Sequence, residues 1–179
     1  MKLVVFGVAV MALLVGAAVK QDQSPELKPA EDSDKMGMDV AALSAALKEA
    51  KVPLHAGIRL VEKDSTPLSA NYEMKEGKLL LAIYTARGDE FFETIIDPQT
   101  GKAIMAGPIT IDDDLMVVRE QAKVITGSSH PLWEVVFKVE RANLGYRAVS
   151  VIPEQGEQGP AAIVILMKGL ELMAVEVGL

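Results

Sequence analysis

The spacing of apolar residues along the chain predicts a helix early in its folded part. Asp39 can cap a helix that runs to about Lys51, and Pro53 ends it because proline has no backbone N–H to donate. The apolar face of this helix holds Val40, Leu43 and Leu47, with Ala46 and Ala50 beside them. A helix with one such face needs a second element to pack against.

Extended segments follow this helix, separated by tight turns. Residues 57–63, 71–75, 78–86, 90–97 and 102–105 have the composition of strands. Turns are predicted at Glu76-Gly77, at Arg87-Gly88-Asp89 and at Pro98–Gly101, since glycine and proline suit the backbone angles of turns. Short strands joined by such turns indicate an antiparallel meander.

The same order of elements then recurs. The run Asp112–Asp114 precedes a second helix, supplies its cap and suits the positive end of its dipole. Gly127 follows that helix, and its apolar stripe consists of Leu115, Val118, Ala122 and Ile125. Strands are predicted at 132–140, 146–152, 161–168 and 170–177, with a hairpin tip at 156–160. Corresponding features lie 75 positions apart (Asp39 and Asp114) or 68 positions apart (Lys78 and Tyr146, Gly101 and Gly169).

These elements predict an α+β fold built from two tandem modules. Each module is one helix packed on a three- or four-stranded antiparallel sheet, spanning residues 38–107 and 108–179. Almost nothing remains outside the two repeats and the segments that precede them.

The N-terminal residues predict export. Lys2 is followed by an apolar run and by small residues up to Ala18, which is the layout of a secretory signal over residues 1–18. A retained anchor helix is the alternative, because the run has about the minimum length that spans a bilayer. Residues 19–37 are rich in charge, serine and proline, so they predict a flexible polar linker. The expected location is periplasmic or secreted, with membrane contact only through an uncleaved N-terminal segment.

The first half resembles the PepSY family. Its alanines are spaced as in the helix of that family, at Ala42, Ala46 and Ala50, and Tyr84 matches the tyrosine of a following strand. The closing turn matches at Asp97, Thr100, Gly101 and Lys102, whereas the second half keeps the order but loses these markers. The resemblance implies a non-catalytic, extracytoplasmic module with a cystatin/PepSY-like fold, of the kind found in protease propeptides and in regulators of peptidases and envelope proteins.

Composition and charge exclude several functions. The formal net charge of −7 and the lack of any basic run make nucleic acid a poor partner. There is no cysteine, which excludes disulfides, thiol nucleophiles and thiolate metal sites. Half of the residues are apolar, so the chain can bury a core.

No residues in the sequence form a convincing catalytic or cofactor site. His55 and His130 are the two histidines, and each is predicted in a loop without cysteine or a suitably spaced carboxylate. The Asp112–Asp114 run lacks the spaced ligands and the glycine of a calcium loop. Ser128-Ser129-His130 are adjacent in sequence, but a triad needs convergence in space and a third orienting group. We therefore expect no enzyme activity, no metal and no cofactor.

A few side chains are candidates for partner binding. Phe91 and Phe92 are neighbours on one predicted strand, so one of them must leave the helix-covered face. The other two candidates are Asp97 and Trp133. Packing in the core or between the modules is the favoured explanation of Phe91, Phe92, Trp133 and Phe137, and turn formation is the favoured explanation of Asp97. The expected function is binding and regulation of an envelope or secreted protein, with a protease among the candidates. The alternative is a structural or assembly subunit joined to copies of itself.

Overall fold

The computed structural model describes residues 40–179. The predicted signal segment and the predicted linker, residues 1–18 and 19–37, lie outside the described residues. Within the described part, four helices and seven strands follow one another along the chain. They are α1 (Val40–Glu49), α2 (Leu54–Glu62), β1 (Thr66–Lys75), β2 (Lys78–Arg87), β3 (Glu90–Ile96), β4 (Ala103–Pro108), α3 (Asp112–Thr126), α4 (Leu132–Ala142), β5 (Arg147–Gly156), β6 (Gly159–Lys168) and β7 (Glu171–Gly178).

All seven strands belong to one antiparallel sheet, in the order β4-β3-β2-β1-β5-β6-β7. The α+β class and the antiparallel meander are therefore confirmed. The two halves meet in the middle of the sheet, where Ala70 and Asn71 of β1 pair with Val151 and Ser150 of β5. The predicted modules thus share one continuous sheet.

Two apolar cores lie mainly on opposite faces of this sheet, and Ile125 of α3 packs against both. The first face is covered by α1, α2 and α4 and has a core that includes Leu47, Ile58, Val136, Ile83 and Val164. The second face carries a smaller core in which Val118 of α3 packs with the sheet residues Leu68, Ala82, Tyr84, Phe91 and Ile95. Because side chains alternate along a strand, Leu81 and Ile83 lie on the first face and Ala82 and Tyr84 on the second. The helix α3 is thus opposite the other three helices.

The halves repeat each other with one constant spacing in the sheet. Strand β5 begins 81 positions after β1 (Thr66 and Arg147), and β6 and β7 begin 81 positions after β2 and β3. A register shift falls between Pro67 and Ser69 in β1 and between Ala148 and Ser150 in β5, at corresponding positions. The Ala70–Val151 pair joins two corresponding residues, so a local two-fold axis passes through the centre of the sheet.

This spacing corrects the correspondences drawn from the sequence. Gly169 lies in the turn between β6 and β7 and corresponds to Gly88 between β2 and β3, with φ of 62° and 60°. The predicted match of Gly169 to Gly101 is wrong. The second half has no described counterpart of β4 or of the turn that leads into it.

Two predicted strands are helices. Residues 57–63 fall mostly in α2, and residues 132–140 fall in α4. Residues 132–140 are rich in β-branched and aromatic residues, and residues 57–63 contain Ile58 and Val61, which favoured a strand interpretation. Their buried residues nevertheless have helical spacing, with Leu132, Val135, Val136 and Val139 turned to the core from α4. Each half therefore has two helices, and the prediction of one helix per module is wrong.

The start of α3 also differs from the prediction. The helix begins at Asp112 and its N-cap position is Ile111, which makes no side-chain capping bond. The three aspartates occupy the first turn, where the helix dipole still favours negative charge. Gly127 ends the helix with φ of −87°, so it does not adopt the left-handed conformation of a typical glycine C-cap.

Candidate binding cleft

A cleft of about 1330 Å³ lies beside α3 on the second face of the sheet. Its apolar surface comes from Phe91, Met116, Val117, Val124, Ile152 and Pro153, and its polar surface from Asp89, Arg119, Glu120, Gln121, Lys123, Glu154 and Gln155. Helix α3 therefore supplies one wall. The end of β5 and the turn between β2 and β3 supply the rest.

Helix α3 is held on the sheet by the buried residues Val118 and Gln121, and Gln121 also contributes to the cleft lining. Val118 is fully buried, and the Ser69 hydroxyl donates a hydrogen bond of 2.8 Å to Oε1 of the buried Gln121. This bond fixes the rotation of the helix about its axis, because both partners are removed from water. Met116, off the predicted stripe of the helix, is consequently 62% exposed.

Some of the charged side chains around the cleft form ion pairs within the described residues, and others do not. Lys123 pairs with Glu120 at 2.5 Å on the outer side of α3, whereas Glu154 on β5 has no described ion-pair partner. Burial, and then the neighbouring Glu176, raises the pKa of Glu154 above the usual carboxyl value. A partly buried carboxylate beside apolar side chains can orient a polar or basic group of a ligand. The described lining contains no serine, threonine or histidine.

The two adjacent phenylalanines separate as predicted. Phe91 points to the second face, is 9% exposed and contributes to the cleft. Phe92 is half-buried, and the guanidinium of Arg87 lies 5.0 Å from its ring centre. Only Phe91 of the predicted partner-binding residues lines this cleft.

Asp97 shapes the turn between β3 and β4. Its carboxylate accepts a 2.8 Å bond from the backbone N–H of Gln99 and another from the Thr100 hydroxyl, and Gly101 has φ of 73°. The Gln99 N–H, followed by the Thr100 hydroxyl, lowers the pKa of Asp97. The predicted turn chemistry is confirmed, and the turn is separate from the cleft lining.

Trp133 and Phe137 lie on α4 and not on a strand. Trp133 is partly buried against the first-face core, and the Arg59 guanidinium lies 4.7 Å from its ring centre. Phe137 is 40% exposed, which contradicts its prediction as a core residue. Neither side chain lines the cleft beside α3, since α4 covers the opposite face of the sheet.

His55 lies in α2 and has a carboxylate partner, which corrects its prediction as an isolated loop residue. Its Nδ1 lies 2.8 Å from Oε2 of Glu140, and Oε1 of Glu140 accepts the Ala148 N–H at 2.9 Å. The imidazole packs edge-on against Phe137, with 5.2 Å between the ring centres. The pair joins α2 to α4 and to the start of β5, and neither residue lines the cleft beside α3.

His130 remains a loop residue, and the structure does not assemble the Ser-Ser-His run into a catalytic pair. The Ser128 hydroxyl donates to the backbone oxygen of His130 at 2.6 Å and accepts from its backbone N–H at 3.2 Å. Neither of these bonds involves the imidazole. These residues line a smaller cleft of about 320 Å³ together with Glu62 and Ser65.

A group of buried polar residues lies under the start of α3. The Tyr84 hydroxyl donates a 3.1 Å bond to Oε1 of Glu93, which is 6% exposed. Burial raises the pKa of Glu93, and the bond from Tyr84 offsets this only in part. Asp114 is also buried; its Oδ2 has no described partner, and burial, then Asp113, raises its pKa. The sequence predicted Asp114 only as part of the acidic run that caps α3 and suits its dipole, and it gave no sign that this carboxylate is buried.

Residues 40–179 contain no cluster of histidine and acidic side chains that could hold a metal ion. Nor does any helix in this range have the length and apolar character of a membrane span.

Comparisons with known proteins identify no family. No protein-family model matches the chain, and no curated protein matches it. One solved structure, described as that of a candidate lipoprotein from Clostridium difficile 630, aligns with a TM-score of 0.43 and 14% identity. The alignment covers 72% of this chain and 87% of that chain. A likeness of this degree assigns neither a family nor a function.

Proposed function

We propose that this chain is an exported, non-catalytic protein that binds and regulates an envelope or secreted protein through the cleft beside α3. The observation that carries the proposal is the cleft itself, with its apolar lining, its polar rim and the exposed Met116 on its helical wall. Apolar concavities with a few polar groups are the usual form of binding sites. Exposed methionine suits protein contacts, because its flexible side chain adapts to a partner's surface.

Export is proposed from the N-terminal sequence. The basic residue, apolar run and small residues of positions 1–18 have the order of a secretory signal. The absence of cysteine is compatible with such a compartment, where disulfides would otherwise form. We place the protein in the periplasm or outside the cell on this basis.

We also propose that the two halves derive from PepSY-like modules that have fused into one sheet. The constant spacing of 81 positions between corresponding strands supports a duplication. The Asp97 turn supports the resemblance in the first half, since the residues that match the family, Thr100 and Gly101, form its hydrogen bond and its positive φ. In the PepSY family such modules regulate other proteins, so a protease is one candidate for the partner.

Site-specific crosslinking tests the cleft as the binding surface. A photoreactive amino acid replaces Met116 in the full chain, and the matched control replaces Leu144, which is 84% exposed and does not line the cleft. We expect an adduct of one defined mass from position 116 and none from position 144. Equal labelling at both positions, or no adduct at position 116, contradicts the proposal.

The captured protein then has to bind in purified form. We expect Met116→Asp to weaken binding at least tenfold, because a charge replaces an apolar contact inside the cleft, and Leu144→Asp to leave the affinity unchanged. If the partner is a peptidase, its activity in the presence of the wild-type chain distinguishes inhibition from simple attachment. An affinity that Met116→Asp leaves unaltered excludes the cleft.

A further inference from the structure

The sheet has two edge strands, and they differ in how well they are protected from pairing. Strand β4 has six residues, ends in Gly107-Pro108 and pairs with β3 through a register shift between Ile95 and Ile96. Short length, proline and irregular register all discourage the addition of another strand. Strand β7 has eight residues, contains no proline and pairs with β6 in unbroken register from Lys168–Glu171 to Ala161–Gly178. Its outer edge therefore has the geometry that accepts a strand.

In the internal repeat, the edge that is equivalent to the outer edge of β7 is paired with another strand. Strand β7 occupies the position in its half that β3 occupies in the other, and the outer edge of β3 is paired with β4. No strand among the described residues pairs with the outer edge of β7. The second half thus presents, at an equivalent place, an edge that the first half fills with an antiparallel strand.

We propose that β7 pairs antiparallel with β7 of a second copy, with a two-fold axis at Ala174, so that one sheet runs through both molecules. This inference goes beyond the proposed function and does not depend on it, because the cleft is lined by α3, β5 and the turn between β2 and β3. It makes the chain a unit of an assembly as well as a binding protein.

The distribution of charge along β7 allows a second copy to pair with it without opposing like charges. Met173 and Val175 pair with Leu166 and Val164, so they lie on the first face, as does Glu171; Glu176 pairs with Ile163 and lies on the second face. Residues that oppose each other across a two-fold antiparallel pair share a face, so Glu171 and Glu176 of the two copies cannot oppose each other. With the axis at Ala174, Met173 opposes Val175 of the second copy. The half-buried apolar residues of both copies then cover each other.

Disulfide trapping in the full chain tests the pairing, because the sequence contains no cysteine of its own. Ala174→Cys places two thiols directly opposite each other at the axis, where the separation of side chains suits a disulfide. Mild oxidation with diamide removes two protons and two electrons from the thiol pair and reduces the diamide to its hydrazide. Ala106→Cys is the matched control, since Ala106 is also an exposed alanine and lies on the other edge strand.

We expect Ala174→Cys to give a covalent dimer in most of the protein, with at least a tenfold lower yield from Ala106→Cys. Glu176→Cys, two residues from the axis and opposite Leu172, should give an intermediate yield or none. A monomer from Ala174→Cys overturns the inference, and so do equal yields at positions 106, 174 and 176, which indicate random collision. The crosslinks from position 116 test the cleft, whereas the disulfides at position 174 test the pairing of β7, so failure of one proposal does not affect the other.

Discussion

Arg147, the first residue of β5, fastens the end of α1 to the sheet. Its guanidinium donates hydrogen bonds to the backbone oxygens of Leu47 at 2.6 Å, Ala50 at 3.0 Å and Val52 at 3.4 Å. Leu47 lies in the last turn of α1, where carbonyls lack regular helical partners, and its oxygen also accepts the Ala50 N–H at 3.2 Å. Ala50 and Val52 follow the helix, so Arg147 joins both the helix end and the segment after it to the sheet. The same guanidinium lies 5.7 Å from the ring centre of Tyr72, whose hydroxyl also donates to the oxygen of Val52.

The magnitude of this interaction follows from its geometry. A hydrogen bond with a charged partner contributes about 1.5–3 kcal/mol, and two of the three bonds are short enough to count fully. Nε of Arg147 is buried without a described partner, which lowers the net gain. For Arg147→Met we therefore expect a loss of about 2–4 kcal/mol in the free energy of unfolding. In a domain of this size the Tm falls by roughly 4–16 °C.

Chemical and thermal unfolding followed by circular dichroism measures this loss. Arg147→Lys should fall between the wild type and Arg147→Met, because lysine keeps the charge but cannot reach several carbonyls at once. The matched control is Arg119→Met on the exposed side of α3, where we expect a change within about 0.5 kcal/mol. Hydrogen exchange should show faster opening of α1 than of β6 in Arg147→Met. A Tm for Arg147→Met equal to that of Arg119→Met would refute the role given to this side chain.

Two further predictions concern the second-face acid and the packing of α2. Burial raises the pKa of Glu93 above 4.5 in the folded state. Its contribution to the free energy of unfolding is therefore fully present below about pH 4.5, and it is lost as the pH rises through the folded-state pKa. Glu93→Gln, which can still accept from Tyr84, should melt like the wild type near pH 4 and a few degrees higher at neutral pH; a difference that does not grow with pH contradicts this. Gly57→Ala should destabilise by about 1–3 kcal/mol although alanine favours helices, because its Cβ would lie 2.3 Å from Cδ2 of the fully buried Leu81. An unchanged or raised Tm in a thermal melt would show that Leu81 can move aside.

Local chemistry made much of the fold readable from the sequence. The turns at Gly77, Gly88 and Gly101 have φ of 73°, 60° and 73°, which glycine adopts at little cost, so the ends of β1 to β3 were predictable. Helices α1 and α3 were predictable from apolar spacing. The bonds of Asp97 were predictable as well, because a carboxylate can reach the N–H groups of the next few residues without help from the rest of the fold.

The segments read as strands show where local signals failed. In α4 the β-branched and aromatic residues favour a strand. The helical spacing of Leu132, Val136 and Val139 nevertheless lets all three be buried together in the core on the first face, which stabilises the helix. The burial of one apolar stripe outweighs propensities of a few tenths of a kcal/mol per residue. The same argument applies to α2.

The sequence alone determined an α+β chain with a recurring order of elements, because periodicity, turns and caps act over a few residues. Only the tertiary structure decided that the halves share one sheet, that α3 crosses to the second face, and that His55 meets Glu140 across 85 positions. Each of these depends on which surfaces meet when the whole chain packs, and pairing across such distances leaves no local mark. The cleft belongs to this second group, since its walls come from α3, β5 and the turn before β3.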